Sequence, residues 1–182
     1  MLVVRPADHS DVHTIAQVFV ESWRTAYAGL FPDEVLLGLS PDRQEGYWRK
    51  TMDRLGGLNI VEVAESDEEV VGFINAGRAR SWPLKFRGEI YTLYLLPDFQ
   101  GHGLGRMLLA ETFRHMVKQD ISSAIVWVLG QNHARYFYEA MGGKLVGERH
   151  EYRWNTHLHE VAYGWHDVRD VLVPGGPLAL DL

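Results

Sequence analysis

Cysteine is absent from this chain of 182 residues, which excludes disulfides, thiolate catalysis and cysteine metal sites together and agrees with a cytoplasmic setting. No stretch approaches the ~20 apolar residues that a membrane helix needs. The opening Met-Leu-Val-Val-Arg-Pro lacks the pattern of a signal peptide. The 9 histidines are scattered, with no His-Glu-x-x-His or other ligand spacing, so no metal site is expected. Lysine and arginine are not clustered, and a formal charge of −6 argues against a nucleic-acid surface. Neither internal repeats nor a low-complexity linker divides the chain. With 46% hydrophobic and 23% charged residues, it reads as one globular domain over 1–182.

What is present centres on residues 89–117. Ile90 to Leu96 is apolar and aromatic with one Thr, the signature of a buried strand. Pro97 ends it, having no N–H to give a ladder. Gln100-Gly101-His102-Gly103-Leu104-Gly105 follows as a glycine-rich turn. A helix is then expected from Leu104 to Lys118, with Leu109, Phe113, Met116 and Val117 on one face. A strand, a glycine turn and a helix start make an anion site, because free amides point outward and the helix dipole favours phosphate. Two phosphate motifs do not fit. The dinucleotide fingerprint wants a third glycine where Arg106 stands, and no Gly-Lys precedes a Ser or Thr as in a Walker loop.

The pattern that does fit is Gln/Arg-x-x-Gly-x-Gly/Ala, met by Gln100, Gly103 and Gly105. Behind a strand ending Leu-Tyr-Leu-Leu-Pro, it resembles the acetyl-CoA-binding motif of the GNAT superfamily of N-acetyltransferases. A second stretch carries the same resemblance. Gln131-Asn132-His133-Ala134-Arg135-Tyr136-Phe137-Tyr138-Glu139-Ala140-Met141-Gly142-Gly143 is similar to the family's Asn-x-x-Ala-x-x-Phe-Tyr-x-x-x-Gly-Phe. Ala134, Phe137, Tyr138, Glu139 and Gly142 match in register. Gln131 stands where the family has Asn, with Asn132 one place late, which leaves open which amide contacts the cofactor. Gly143 replaces the usual aromatic.

The remaining chain reads as a β/α string. Leu2 to Arg5 is an edge strand closed by Pro6. A helix from Asp11, capped by Ser10, carries Val12, Ile15, Ala16, Phe19, Trp23 and Tyr27 on one face. Short helices are expected from Pro32 and over Pro41 to Arg54. Leu58 to Ala64 and Val70 to Ala79 form a hairpin through Ser66-Asp67-Glu68-Glu69, giving an antiparallel meander with the central strand. Ser81 to Gly88 is a loop beside the same pocket. Ala124 to Leu129 is a second buried strand, parallel to the first because a helix joins them. Gly143 to Trp154 and Leu158 to Trp165 make a closing hairpin, and the tail is a surface extension or a dimer contact.

The fold class is therefore mixed α/β (α+β), with a mixed, mostly antiparallel sheet of about six or seven strands flanked by about four helices. Residues 1–57 supply acceptor-side helices, 58–143 the acetyl-CoA-binding core, 144–170 the hairpin and 171–182 the tail.

The resemblance implies acetyl transfer from acetyl-CoA to an amine acceptor within a ternary complex, without metal. Such a reaction needs a base for the ammonium proton, since an alkylamine with pKa near ~10.4 is protonated at pH 7. It also needs an acid for the thiolate and donors for the oxyanion. Tyr138 is the candidate acid: it shares a helical face with Ala134, Phe137 and Met141, and the matching family tyrosine lies beside the sulfur. Glu89 is the candidate base, in the position that serves so in histone-acetylating members, and by alternation it is expected on the face of Leu93. Tyr91, His150, His157 and His159 are lesser candidates. The resemblance further implies that main-chain groups along Leu93, Tyr94 and Leu95 pair with the pantetheine arm, in a gap opening at Leu95 to Leu96. Amides of Gln100, Gly101, His102, Gly103, Leu104, Gly105 and Arg106 would hold the pyrophosphate, with charge from Arg106.

Glu21, Trp23, Arg24 and Tyr27 are open to two readings, an acceptor wall or ordinary core and surface. Trp23, Tyr27, Trp48 and Trp82 either cage a cation or fill the core. Two alternatives stay open as well: an enzyme of the same fold with another acyl donor or an O-linked acceptor, or a regulatory or structural protein that binds acyl-CoA without turnover. Oligomeric state is open, although related proteins dimerise through their last strands.

Overall fold

In a computed structural model, residues 1–56, 58–80 and 85–179 are described. Of the loop expected over Ser81 to Gly88, residues 81–84, including Trp82, fall outside them, as does the end of the tail.

Among the described residues seven strands form one sheet: β1 (Leu2–Pro6), β2 (Ile60–Ser66), β3 (Glu69–Arg78), β4 (Gly88–Leu95), β5 (Ala124–Leu129), β6 (Lys144–Arg153) and β7 (Thr156–Trp165). Their order is β1-β2-β3-β4-β5-β7-β6. Every pairing is antiparallel except β4 with β5, which run parallel. The helices are α1 (Val12–Ala26), α2 (Asp33–Leu37), α3 (Pro41–Met52), α4 (Leu104–Lys118), α5 (Ala134–Ala140) and α6 (Arg169–Leu172). The β2–β3 hairpin turns on Asp67 and Glu68, both left-handed (φ 49° and 72°), the twist that a two-residue loop between strands demands.

Three apolar clusters hold the layers. One face of the sheet packs on α4 through Leu108, Leu109, Phe113 and Met116, all fully buried beside Ile74, Ile90 and Val126. The other face takes α1 and α3: Ile15, Val18, Trp48 and Met52 lie against Val61, Val63 and Phe73. A smaller cluster joins Phe31 and Leu36 to Leu158 of β7, with Trp23, Tyr27 and Leu129 at its edge. Trp48 is wholly buried with its ring 4.9 Å from Phe73, so it fills the core rather than caging a cation.

Two local expectations change. Ser10 does not cap the first helix. Asp8 caps a 3-10 turn at His9–Asp11, and Asp11 returns a bond to the Asp8 amide in a capping box. Arg5 then grips Asp11 through two bonds of 2.8 and 2.9 Å and Glu65 at 2.7 Å, tying the start of α1 to β1 and β2. The tail is not a free extension: Leu178 is fully buried and its amide bonds Val171 O at 2.9 Å.

Gly143, where the resemblance leads one to expect an aromatic, has a packing reason. A Cβ there would lie 3.0 Å from the Trp165 ring and 2.9 Å from Tyr138 O. Trp165 fills that volume, its Nε1 donating to Met141 O at 3.0 Å.

Candidate active site

The parallel pairing of β4 with β5 covers only Gly88, Glu89 and Ile90 against Ala124, Ile125 and Val126. The strands then part, earlier than the Leu95 to Leu96 divergence expected. A cavity of about 750 Å³ fills the wedge. Tyr91 to Leu95 and Val126 to Val128 form its sides. The glycine turn, α5 and the end of α1 close it.

The unpaired edge of β4 follows from its register. Leu96 N donates to Val71 O at 2.9 Å, on the β3 side. By alternation, Thr92 and Tyr94 also turn their main-chain groups to β3, whereas Leu93 and Leu95 turn theirs toward the gap. The Leu95 carbonyl accepts from Gln100 Nε2 at 3.1 Å, which ties the glycine turn to the strand.

Below the turn, α4 begins without a side-chain cap. Its first helical bond runs from Met107 N to Gly103 O, leaving the amides of Leu104, Gly105 and Arg106 without helical acceptors. Gly101 and Gly103 hold φ of 77° and 86°, and a Cβ at either would meet no protein atom within 4 Å. Left-handed backbone and open space in front of free amides suit an approaching anion. Gly101, Gly103, Gly105 and Arg106 line the cavity; His102 is exposed outside the lining, and the Leu104 side chain lies in the core.

Arg106 differs from expectation in its partners. Its Nε donates to Pro177 O at 2.8 Å and its guanidinium also bonds Ala179 O, so the tail holds the side chain at the cavity's edge. The amide question at α5 has a geometric basis too. Asn132 Oδ1 accepts from Ala134 N at 2.9 Å in the turn before α5, while Gln131 is exposed. Both line the cavity.

Tyr138 is 5% exposed and lines the cavity, and its hydroxyl has no bonding partner among the described residues. Burial pushes the phenol well above its ordinary range, with the neighbouring Tyr27 adding to it, so the proton stays on. Across the space, Tyr27 and Tyr94 pair hydroxyl to hydroxyl at 3.0 Å. Burial raises both phenols as well.

Glu89 is not on the lining. The alternation argument fails because β3 and β4 slip register between Asn75 and Ala76: Asn75 pairs with Thr92, but Ala76 pairs with Ile90. Tyr91 is the extra residue, a β-bulge that reverses the facing of everything before it. Ile90, rather than Glu89, shares the α4-side core with Leu93. The Glu89 carboxylate accepts from Arg80 N at 2.7 Å and Arg80 Nη2 at 3.0 Å, and that guanidinium lies 4.0 Å from the centre of the Tyr91 ring. Tyr91 itself lines the cavity and donates to Arg78 O at 2.6 Å. His150 and His159 stack at 4.6 Å on the last hairpin and, like His157, lie outside the lining.

Sequence reasoning missed Ser22, Thr25 and Trp127 on the lining, and noted Thr92 only as the polar residue of its strand. Trp23 and Tyr27 meet edge to face at 4.9 Å beside Phe31, with Tyr27 alone of the pair on the wall. Glu21 is exposed and absent from the wall, and Arg24 is spent on the carbonyls of Leu36 and Leu39. Among the described residues no helix is long and apolar enough to cross a membrane, and no group of three or more His, Asp or Glu is placed to hold a metal ion.

Comparisons with known proteins agree with this architecture. An uncharacterized N-acetyltransferase of Bacillus subtilis, YuaI, is 36% identical over 169 residues, covering 92% of this chain and 95% of its own. A spermidine N(1)-acetyltransferase of Thermoplasma acidophilum is 26% identical over 146 residues, 78% of this chain and 88% of that protein. Among solved structures, the PaiA N-acetyltransferase of Thermoplasma acidophilum in complex with coenzyme A superposes with a TM-score of 0.67 at 22% identity, covering 88% of this chain and 98% of its own. YncA of Salmonella typhimurium, a putative acetyltransferase with its cofactor acetyl-CoA, gives 0.69 at 20%, covering 92% and 94%. The model of the acetyltransferase (GNAT) family matches residues 14–143, and the chain belongs to that family.

Proposed function

We propose that the protein transfers the acetyl group of acetyl-CoA to a primary amine of a small molecule or peptide, directly within a ternary complex. One observation carries this reading: the uncapped start of α4, the unpaired edge of β4 and the Tyr138 hydroxyl all open on one cavity. A pyrophosphate, an extended amide chain and a thiol thus find matching partners in continuous space. The names of the relatives, and the coenzyme A and acetyl-CoA in two structures of the same fold, support it.

Acetyl-CoA, when bound, supplies the activated thioester. The amides from Gln100 to Arg106 hold the pyrophosphate, and Leu93 and Leu95 extend a strand to the pantetheine arm. Tyr138, kept protonated by burial, gives its proton to the departing thiolate. Glu89 receives the ammonium proton through water, since Tyr91 stands on the wall and the carboxylate does not. The negative formal charge suits a small-molecule or peptide partner better than nucleic acid. β6 is an outer strand carrying exposed Leu145 and Tyr152, which supports a homodimer through the last hairpin. The absence of cysteine supports a cytoplasmic location.

Calorimetric titration of acetyl-CoA into wild type and Gly103→Val tests the reading. Micromolar binding that the variant loses is expected, because valine strains φ 86° and its side chain enters the anion's space. No binding by wild type sinks the proposal. Binding without thiol release across an amine panel marks a non-catalytic acyl-CoA binder.

A further inference from the structure

Among the described residues, four buried side-chain polar atoms have no hydrogen-bond partner: Ser22 Oγ, Trp23 Nε1, Trp48 Nε1 and Thr92 Oγ1. Trp48 sits in the core and Trp23 in the aromatic cluster around Tyr27. Ser22 and Thr92 belong to the cavity wall, one on α1 and the other on β4. Ser22 is 4% exposed. Buried hydroxyls are ordinarily bonded, and an orphan in a ligand cavity points to a partner that arrives with the ligand.

The neighbouring hydroxyls do not share this state. Thr25 Oγ1 bonds back to Glu21 O at 3.0 Å, and Tyr27 and Tyr94 satisfy each other. The titratable groups that α1, its C-cap and β4 present to the cavity are Tyr27, Tyr91 and Tyr94, all raised by burial and hence neutral. This part of the wall thus offers hydroxyls and no formal charge, and a charged substituent pressed against it would lie buried without a counter-ion.

Resting on the acetyltransferase reading, we propose that Ser22 and Thr92 set acceptor specificity, and that the acceptor is a small amine carrying an uncharged hydrogen-bonding group, a hydroxyl or carboxamide, close to its amino nitrogen. Each hydroxyl both donates and accepts, so the pair suits either group.

The test uses Ser22→Ala, Thr92→Val and the double variant beside wild type, with thiol release as the readout. Two pairs matched in size serve as probes: ethanolamine against propylamine, and glycinamide against isobutylamine. The ratio of kcat/KM within a pair is compared between proteins, so differences in amine basicity cancel. The double variant should lower the preference for the hydrogen-bonding member at least tenfold while the KM for acetyl-CoA stays constant. Neither single variant should lower the thermal midpoint, because each removes a hydroxyl that bonds nothing among the described residues. Ratios unchanged within twofold overturn the proposal and leave the acetyltransferase reading intact. A lowered midpoint in both single variants also overturns it, by making the hydroxyls structural. Absence of thiol release with every amine overturns both readings.

Discussion

The Tyr27 and Tyr94 hydroxyls meet at 3.0 Å, one carried by the C-cap of α1 and the other by β4. This bond joins the helical layer to the central strand at the rim of the cavity, with Phe19 edge-on to Tyr94 at 5.8 Å behind it. Because burial raises both phenols, the pair is neutral and presents lone pairs to an incoming amine. Tyr94→Phe deletes one hydroxyl and frees the other. It should raise the amine KM about threefold to tenfold, the worth of one hydrogen bond. The KM for acetyl-CoA should not change, since the proposed contact of β4 with that ligand runs through its main chain. Steady-state kinetics with each substrate varied in turn checks this; a rise confined to acetyl-CoA counts against the assignment.

Much of the frame around this site is legible in the sequence. The helix expected over Leu104 to Lys118 and the strand over Ala124 to Leu129 appear with those boundaries, because a left-handed glycine starts the one and an unbroken apolar run defines the other. The facing of Glu89 was not legible. It depends on the slip opposite Asn75 and Ala76, a property of two strands that no periodicity within β4 reveals. The side-chain partners of Arg106 were not legible for a similar reason: the carbonyls it bonds lie more than 70 residues downstream. Nor could composition separate Trp48, which fills the core, from Tyr27, which reaches the cavity. Both share aromatic patterning, and only the packing of α3 against α1 decides.

Tyr138 lines the cavity with its hydroxyl unspent, and burial holds its proton on. Tyr138→Phe keeps the ring and removes that proton, so kcat should fall by about a hundredfold or more with little change in the KM for acetyl-CoA. The upward shift also fixes a pH expectation. The acid form persists beyond the ordinary tyrosine range, so wild-type kcat should show no alkaline loss from this group below about pH 10. A phenol with a lowered pKa would give the opposite profile.

Glu89 poses a choice between chemistry and architecture. Arg80 clamps its carboxylate through main chain and guanidinium, which alone would make it a strut for the start of β4. If it also receives the amine's proton through water, Glu89→Gln should lower kcat/KM for the amine at least tenfold at pH 7, beyond any change in thermal midpoint. Arg80→Ala supplies the control. It removes the guanidinium, leaves only the main-chain amide on the buried carboxylate and should cost about 1–3 kcal/mol, discounted because the guanidinium is largely exposed. A Glu89→Gln enzyme of normal kcat/KM and reduced stability restricts the residue to the structural role.

Far from the cavity, Glu62 of β2 is 5% exposed under α4, accepting from Thr112 Oγ1 at 2.8 Å, with His115 Nδ1 at 3.7 Å. Burial pushes its carboxyl up to about 7 from an ordinary value of 4.5, the Thr112 bond opposing the shift. The folded state therefore holds this proton more tightly than the unfolded chain does. Its contribution is fully present below about pH 4.5 and is lost as the pH climbs through about 7, a change on the order of 3 kcal/mol. Glu62→Gln keeps an acceptor for Thr112 and abolishes the ionisation. The variant should match wild type near pH 4.5 and exceed it by on the order of 2–3 kcal/mol at pH 8. Urea midpoints at the two pH values decide the matter. Parallel pH dependence of the two proteins would mean that Glu62 ionises freely in the fold, reaching solvent along α4 beside His115 instead of staying protonated beneath it.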